Sequence, residues 1–139
     1  MQVFIVGTPL ETAMALDSRR LNKQIIECQQ ILDALNGAKA WSNHPCVLQY
    51  RGHEKWLKHY LRVLTNWHIG GVEHDFYNEM AIKNTPPFHT DEYFDQMKRR
   101  LYTKDNNHYS QWASLGESED NWYFVDGEWR IYNNGKRIK

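Results

Sequence analysis

The chain has 139 residues, of which 41% are apolar and 14% aromatic; this excludes a disordered polar chain and suffices for one core. Seventeen basic residues balance seventeen acidic ones, so bulk charge supplies no attraction to a polyanion. No apolar run approaches the roughly 20 residues of a membrane span, MQVFIVGTP lacks the basic start of a signal peptide, and Cys28 and Cys46 form neither a disulfide framework nor a thiolate zinc pattern. A single domain over residues 1–139 is expected, intracellular and with reduced thiols. The charge is unevenly spread: residues 1–70 hold eight Lys or Arg against five Asp or Glu, and residues 71–139 hold nine against twelve.

Residues 2–7, QVFIVG, have the β-branched composition of a strand but no hairpin partner nearby, so an extended segment laid against helices fits equally well. Thr8 or Thr12 is a cap and Pro9 a helix start for a first helix over Leu10 to Leu16. The strongest periodic signal follows, from Ser18 to Leu35, where Leu21, Ile25, Cys28, Leu32 and Leu35 recur in steps of four and three. Asn36-Gly37 ends this helix. In the segment from Asn43 to Gly71, Trp56, Tyr60, Val63 and Trp67 define a second amphipathic helix, with Leu57, Leu61 and Leu64 beside them and a stop at Gly70-Gly71. These two apolar faces are expected to form the core. A short helix over Asp75 to Ile82, a break at Pro86-Pro87 and a helix through DEYFDQMKRRLYTK capped by Thr90 come next. In the aromatic tail, Asp126-Gly127 between WYFV and EWRIY signals a hairpin. The fold class is thus mainly α, with short extended aromatic segments at the C-terminal end.

On the polar side of the long helix stand Arg20, Lys23, Glu27 and Gln30. Lys23 and Glu27, four residues apart, make an ordinary exposed ion pair of about 0.3–0.5 kcal/mol. The same carboxylate amid cations suits proton transfer, with its neighbours holding an anion. The pattern leaves both open. Seven histidines contain no HExxH and no tight ligand set, which favours surface and capping roles over a metal site. Gly70-Gly71 fits no phosphate-loop pattern. Trp41, Trp112, Trp122 and Trp129 are candidates for stacking on bases, against the commoner use of such side chains in a core.

Taken together, LDSRRLNKQIIE, NHPCVLQYRGHEKWLKHYL, the WHIGG turn, PPF and LYTKDNNHY, in that order along nearly the whole chain, resemble the pyrimidine dimer DNA glycosylase family. The resemblance implies a compact helical domain that kinks damaged double-stranded DNA, cleaves the glycosylic bond of the 5′ pyrimidine of a cyclobutane dimer and nicks the abasic site by β-elimination. It implies no metal, no organic cofactor and no obligate protein partner, and a monomer is expected. In the family a free N-terminal amine attacks the sugar C1′ with an essential glutamate beside it. Those roles fall on Met1 and Glu27. Phosphate binding falls on Arg20, and the shared segments carry further expected DNA contacts at Arg19, Lys23, His44, Arg51, His53, Lys104 and His108.

The assignment is chemically reasonable, because α-amines titrate at about 7.7–8.0 and keep a neutral fraction near neutrality without much tuning. Two departures stand out. Gln2 is large for initiator removal, so Met1 is expected to be retained, and Ile26 and Gln30 stand where the family's phage member has arginines. A non-catalytic nucleic-acid-binding protein on the same scaffold, or a protein-interaction module using the acidic aromatic tail, are the alternatives.

Overall fold

The computed structural model describes residues 1–70 and 84–139. The helix expected over Asp75 to Ile82 lies outside the described residues. Helix α1 spans Pro9–Ala15 and opens with a complete capping box: Thr8 accepts from the Glu11 amide and Glu11 reaches back to the Thr8 amide. Helix α2 spans Ser18–Leu35, capped by Asp17 and ended at Asn36. Helix α3, Pro45–Tyr50, is short and was hidden in the sequence within the approach to the next helix. His44 caps it, Pro45 occupies its first turn, and Gly52, at φ +89, separates it from α4, Glu54–His68. After Thr90, the expected cap, α5 spans Asp91–Lys104, followed by a 3₁₀ turn over Ser110–Leu115.

The chain closes with a three-stranded antiparallel sheet of β1 (Asn121–Val125), β2 (Glu128–Asn133) and β3 (Lys136–Arg137) in the order β1-β2-β3. Asp126 and Gly127, at φ +53 and +77, turn β1 into β2, with Val125 opposite Glu128; positive φ at both central residues is what a two-residue hairpin requires. Asn134-Gly135 makes the second such turn.

Helices α2 and α4 pack against each other, as their apolar faces require. The buried line on α2 is Leu21, Gln24, Cys28, Ile31 and Ala34, with Ile25, Leu32 and Leu35 only half-buried. The face is therefore turned by about one residue from the expected stripe, and a glutamine sits in it. From α4, Trp56, Leu57, Tyr60, Val63 and Leu64 face it. Each such side chain contributes about 1.5–3 kcal/mol of burial.

The QVFIVG segment is no strand. It runs extended through the core, with Val3, Phe4 and Ile5 nearly inaccessible. A buried backbone without a ladder must find other partners, and side chains provide them. Gln24 Oε1 accepts from the Phe4 amide at 2.5 Å and Gln24 Nε2 donates to the Gln2 carbonyl at 3.0 Å. Tyr60 donates to the Phe4 carbonyl at 2.5 Å, Thr12 accepts from the Val6 amide at 3.0 Å, and Tyr123 on β1 donates to the Met1 carbonyl at 2.7 Å. The N-terminal end is thus clamped between α2, α4 and the sheet.

Candidate active site

The clamp has a chemical consequence at Gln24. This side chain is fully buried, and its amide nitrogen donates both to the Gln2 carbonyl, at 3.0 Å, and to Glu27 Oε2, at 3.4 Å. One amide group therefore spans the gap between the Gln2–Val3 peptide unit and the carboxylate on α2. Glu27 is half-buried, as is Met1. Lys23 does not close the expected ion pair with Glu27; the ion pairs among the described residues lie at Asp95–Lys98 and around the hairpin.

Lys23 instead adds its charge to that of other cations. The Lys104 ammonium is pushed down to about 8, first by burial and then by the charges of Arg100, Arg20 and Lys23, with Glu27 pulling the other way. Like charges on α2 and α5 thus share one field at the mouth of the clamp. Beneath them lies the Phe4 ring, with Arg20 Cζ and Lys104 Nζ each 5.9 Å from its centroid; a cation over an aromatic face gains about 0.5–1 kcal/mol when exposed. Arg100 is held below the usual arginine range, chiefly by burial, and its Nε is buried with no hydrogen-bond partner among the described residues. Four cations, none of them in an ion pair among the described residues, form a place for an anion.

On the other flank, His44 lies beside the N-terminal ammonium. Its pKa is lowered to about 4, by burial first and by that positive charge second. Its Nδ1 accepts from the Cys46 amide at 3.1 Å, which caps α3 and fixes the neutral ring with its proton on Nε2. The Val3 backbone hydrogen-bonds the Cys46 thiol, yet burial still pushes that thiol up to about 12. Neither buried cysteine is a nucleophile near neutral pH.

His44 acts with the N-terminal amine, and Arg20, Lys23 and Glu27 act on Lys104, with the Gln24 amide between the Gln2 carbonyl and Glu27. The structure does not bring Arg51 and His53 to these groups: they line a separate recess of about 350 Å³ with Phe88, Phe124 and the hairpin turn. Arg19 is exposed one residue before Arg20 and joins none of these contacts. His108 Nε2 meets the Ala15 carbonyl at 3.1 Å, so it ties the end of α1 to the loop after α5. Next to it, Tyr109 bonds both the backbone and the carboxylate of Asp17 and steadies the start of α2.

Gln24, Arg100 and Tyr123 belong to the site without having been expected there. Arg100 was accessible to reasoning, since it lies four residues before Lys104 on one helix face. A larger cavity of about 660 Å³, with Trp56, His89 and Phe94 in its wall, contains none of the clustered residues. Among the described residues no group of three His, Cys, Asp or Glu is arranged to hold a metal ion, and no helix is long and apolar enough to cross a membrane.

Residues 1–68 match the family model described as pyrimidine dimer DNA glycosylase. No curated protein and no solved structure gives a significant match to the chain.

Proposed function

We propose, from the match of residues 1–68 to the pyrimidine dimer DNA glycosylase family model, a DNA glycosylase and abasic-site lyase that works through the Met1 amine and Glu27. The observation that carries this reading is the Gln24 amide shared by the Gln2 carbonyl and the Glu27 carboxylate. It couples the position of the amine-bearing residue to that of the only carboxylate on the polar side of α2 between Arg20 and Gln30.

The proposed steps follow from what each group can do. The α-amine lone pair adds to C1′ as the glycosylic bond breaks, and the pyrimidine leaves with the bonding electrons and takes up a proton. Opening of the sugar ring gives a protonated imine, whose positive charge Glu27 stabilises. Loss of a proton from C2′ then expels the 3′-phosphate, and hydrolysis of the imine frees the amine. Glu27 serves as the base for that proton in this proposal. His44, uncharged near neutral pH, adds no positive charge that would hold the neighbouring amine back from attack. Arg20, Lys23, Arg100 and Lys104 bind the phosphates flanking the lesion, and DNA is the partner that their unpaired charge fits.

Replacing Glu27 by Gln keeps its size and removes its charge. Turnover on a dimer-containing duplex is expected to fall about 10²–10⁴-fold, with duplex binding kept, as read by single-turnover kinetics and a gel-shift titration. An E27Q protein that cleaves at the wild-type rate contradicts the proposal.

A further inference from the structure

A nucleophile that displaces a base needs help on the side where charge collects. As the C1′–N1 bond breaks, its electron pair passes to the pyrimidine and settles largely on O2, which sits on the ring carbon next to N1 and so lies beside C1′. The cyclobutane ring joins neighbouring pyrimidines through C5 and C6 and leaves N1, C2 and O2 as they were. The attacked pyrimidine therefore keeps this oxygen while it stays bonded to its 3′ neighbour. O2 is an acceptor on the minor-groove edge, open to a fixed donor that stands near the amine.

His44 is such a donor. Contacts reach from its ring to the first residues by two routes. Along one, the ring meets Tyr123 in a T-shaped contact with centroids 5.8 Å apart, and the Tyr123 hydroxyl donates to the Met1 carbonyl at 2.7 Å. Along the other, Nδ1 accepts from the Cys46 amide at 3.1 Å, and the Val3 backbone hydrogen-bonds the Cys46 thiol. A further T-shaped contact with Trp41, at 5.9 Å, helps to fix the plane of the ring. Burial first, and the N-terminal ammonium second, keep that ring uncharged near neutral pH.

The cap decides what the ring can do. With the Nδ1 lone pair engaged by the Cys46 amide, the neutral imidazole carries its proton on Nε2 and has no second lone pair to offer. It cannot draw a proton from the amine without giving up the start of α3. What it presents is the Nε2 proton. That nitrogen has no hydrogen-bond partner among the described residues, and the half-buried ring does not seal it in the core. A neutral donor adds no repulsion to the positive charge that the amine gains on bonding to C1′.

Resting on the glycosylase reading above, we propose that His44 is a further catalytic residue, whose Nε2–H hydrogen-bonds O2 of the pyrimidine leaving C1′ and stabilises the charge that collects there. The proton balance closes without it. The amine loses one proton after bonding to C1′ and the pyrimidine gains one, both through Glu27 and water, while His44 keeps its own. An abasic site has no O2 for His44 to hold.

Two replacements separate this role from the cap. His44→Asn keeps an acceptor at the Nδ1 position, and with it the start of α3, but ends short of Nε2. His44→Gln carries an N–H out to the Nε2 position and caps poorly. Single-turnover cleavage of a dimer-containing duplex, nicking of a preformed abasic site and the melting temperature are measured for both variants and the wild type, at equal concentrations of folded protein. Loss of one donor to developing charge predicts that H44N cleaves the dimer duplex about 10²–10³-fold more slowly, with a loss on the abasic site at least about tenfold smaller. H44Q is expected to melt below H44N and yet to outrun it on the dimer duplex. Losses of similar size on both substrates, no loss on the dimer duplex for H44N, or an H44Q slower there than H44N overturn the role. A wild-type protein that nicks the abasic site and leaves the dimer intact also removes it. One that acts on neither removes the glycosylase reading, and the role of His44 with it.

Discussion

Gln24 does the work of a β-ladder for the N-terminal segment. Changing it to leucine keeps a similar volume but leaves the Phe4 amide and the Gln2 carbonyl buried without their partners, a cost of about 1–3 kcal/mol for each group. Urea unfolding of Q24L is expected to show that loss, and turnover should fall as well because the first residues are no longer held beside Glu27. Two titrating neighbours give separate signatures. His44 is neutral in the folded protein down to about pH 4, whereas in the unfolded chain it takes up a proton below about pH 6.5. The unfolded state then binds more protons, so His44 withdraws stability as pH falls through that window. H44N, which keeps a capping side chain, is expected to flatten that part of the pH–stability curve. Lys104 acts in the same direction at a higher pH. With its ammonium at about 8 when folded and near 10.4 when unfolded, it opposes folding below pH 8, and stability rises as pH climbs between those values. The same loss of charge weakens DNA binding above pH 8. K104R, whose charge persists, is expected to keep the neutral-pH affinity at pH 9 in a gel-shift titration. None of this was legible at Gln24 itself: a glutamine in a helix reads as surface, and only the missing partners of QVFIVG explain its burial. Glu27 was legible as one carboxylate among cations, though its partner proved to be Gln24 rather than Lys23.

At the scale of elements, the apolar period and the Asn36-Gly37 stop set the expected span of α2, and the structure has the same Ser18–Leu35 span with Asp17 as its cap. Its buried face did not follow, because Ile25, Leu32 and Leu35 outrank Gln24 and Ala34 in hydrophobicity while the extended N-terminal segment and α4 together decide which side is inside. Helix α3 was missed for a related reason: six residues are too few to show a period, although His44-Pro45 carried the start signal. Helices α2 and α5 present the four cations as one surface, and this sets a measurable quantity. The logarithm of the DNA association constant falls with the logarithm of salt concentration by about 0.9 for each phosphate contact. Replacing Arg20 or Arg100 by a neutral residue is therefore expected to reduce the slope by about one, whereas the same change at Arg51, in the separate recess, should leave it unchanged. An equal reduction at Arg51 contradicts the division between the two surfaces.

Across the whole molecule, the site depends on the two ends of the chain meeting. Tyr123 of β1 holds the Met1 carbonyl, Gln49 of α3 accepts from the Phe124 amide at 2.9 Å, and Gln96 of α5 donates to Ser118 and to the Asp120 carbonyl ahead of β1. Glutamines on helices thus fasten both the extended start and the terminal hairpin, which is why an aromatic tail with an acidic approach packs beside a basic site. Such long-range bonds leave no periodic trace in a sequence, while caps, turns and apolar faces do. The central claim is that Met1, held by Tyr123 at its carbonyl and followed by the Gln2 that Gln24 holds, supplies the nucleophile. Its most direct test is borohydride trapping on an abasic duplex followed by mass mapping of the adduct. The expected result is a single modified peptide that begins at Met1 and carries the deoxyribose remnant on its α-amine. An adduct on Lys23 or Lys104 instead, or no adduct under conditions in which the duplex is bound, contradicts it.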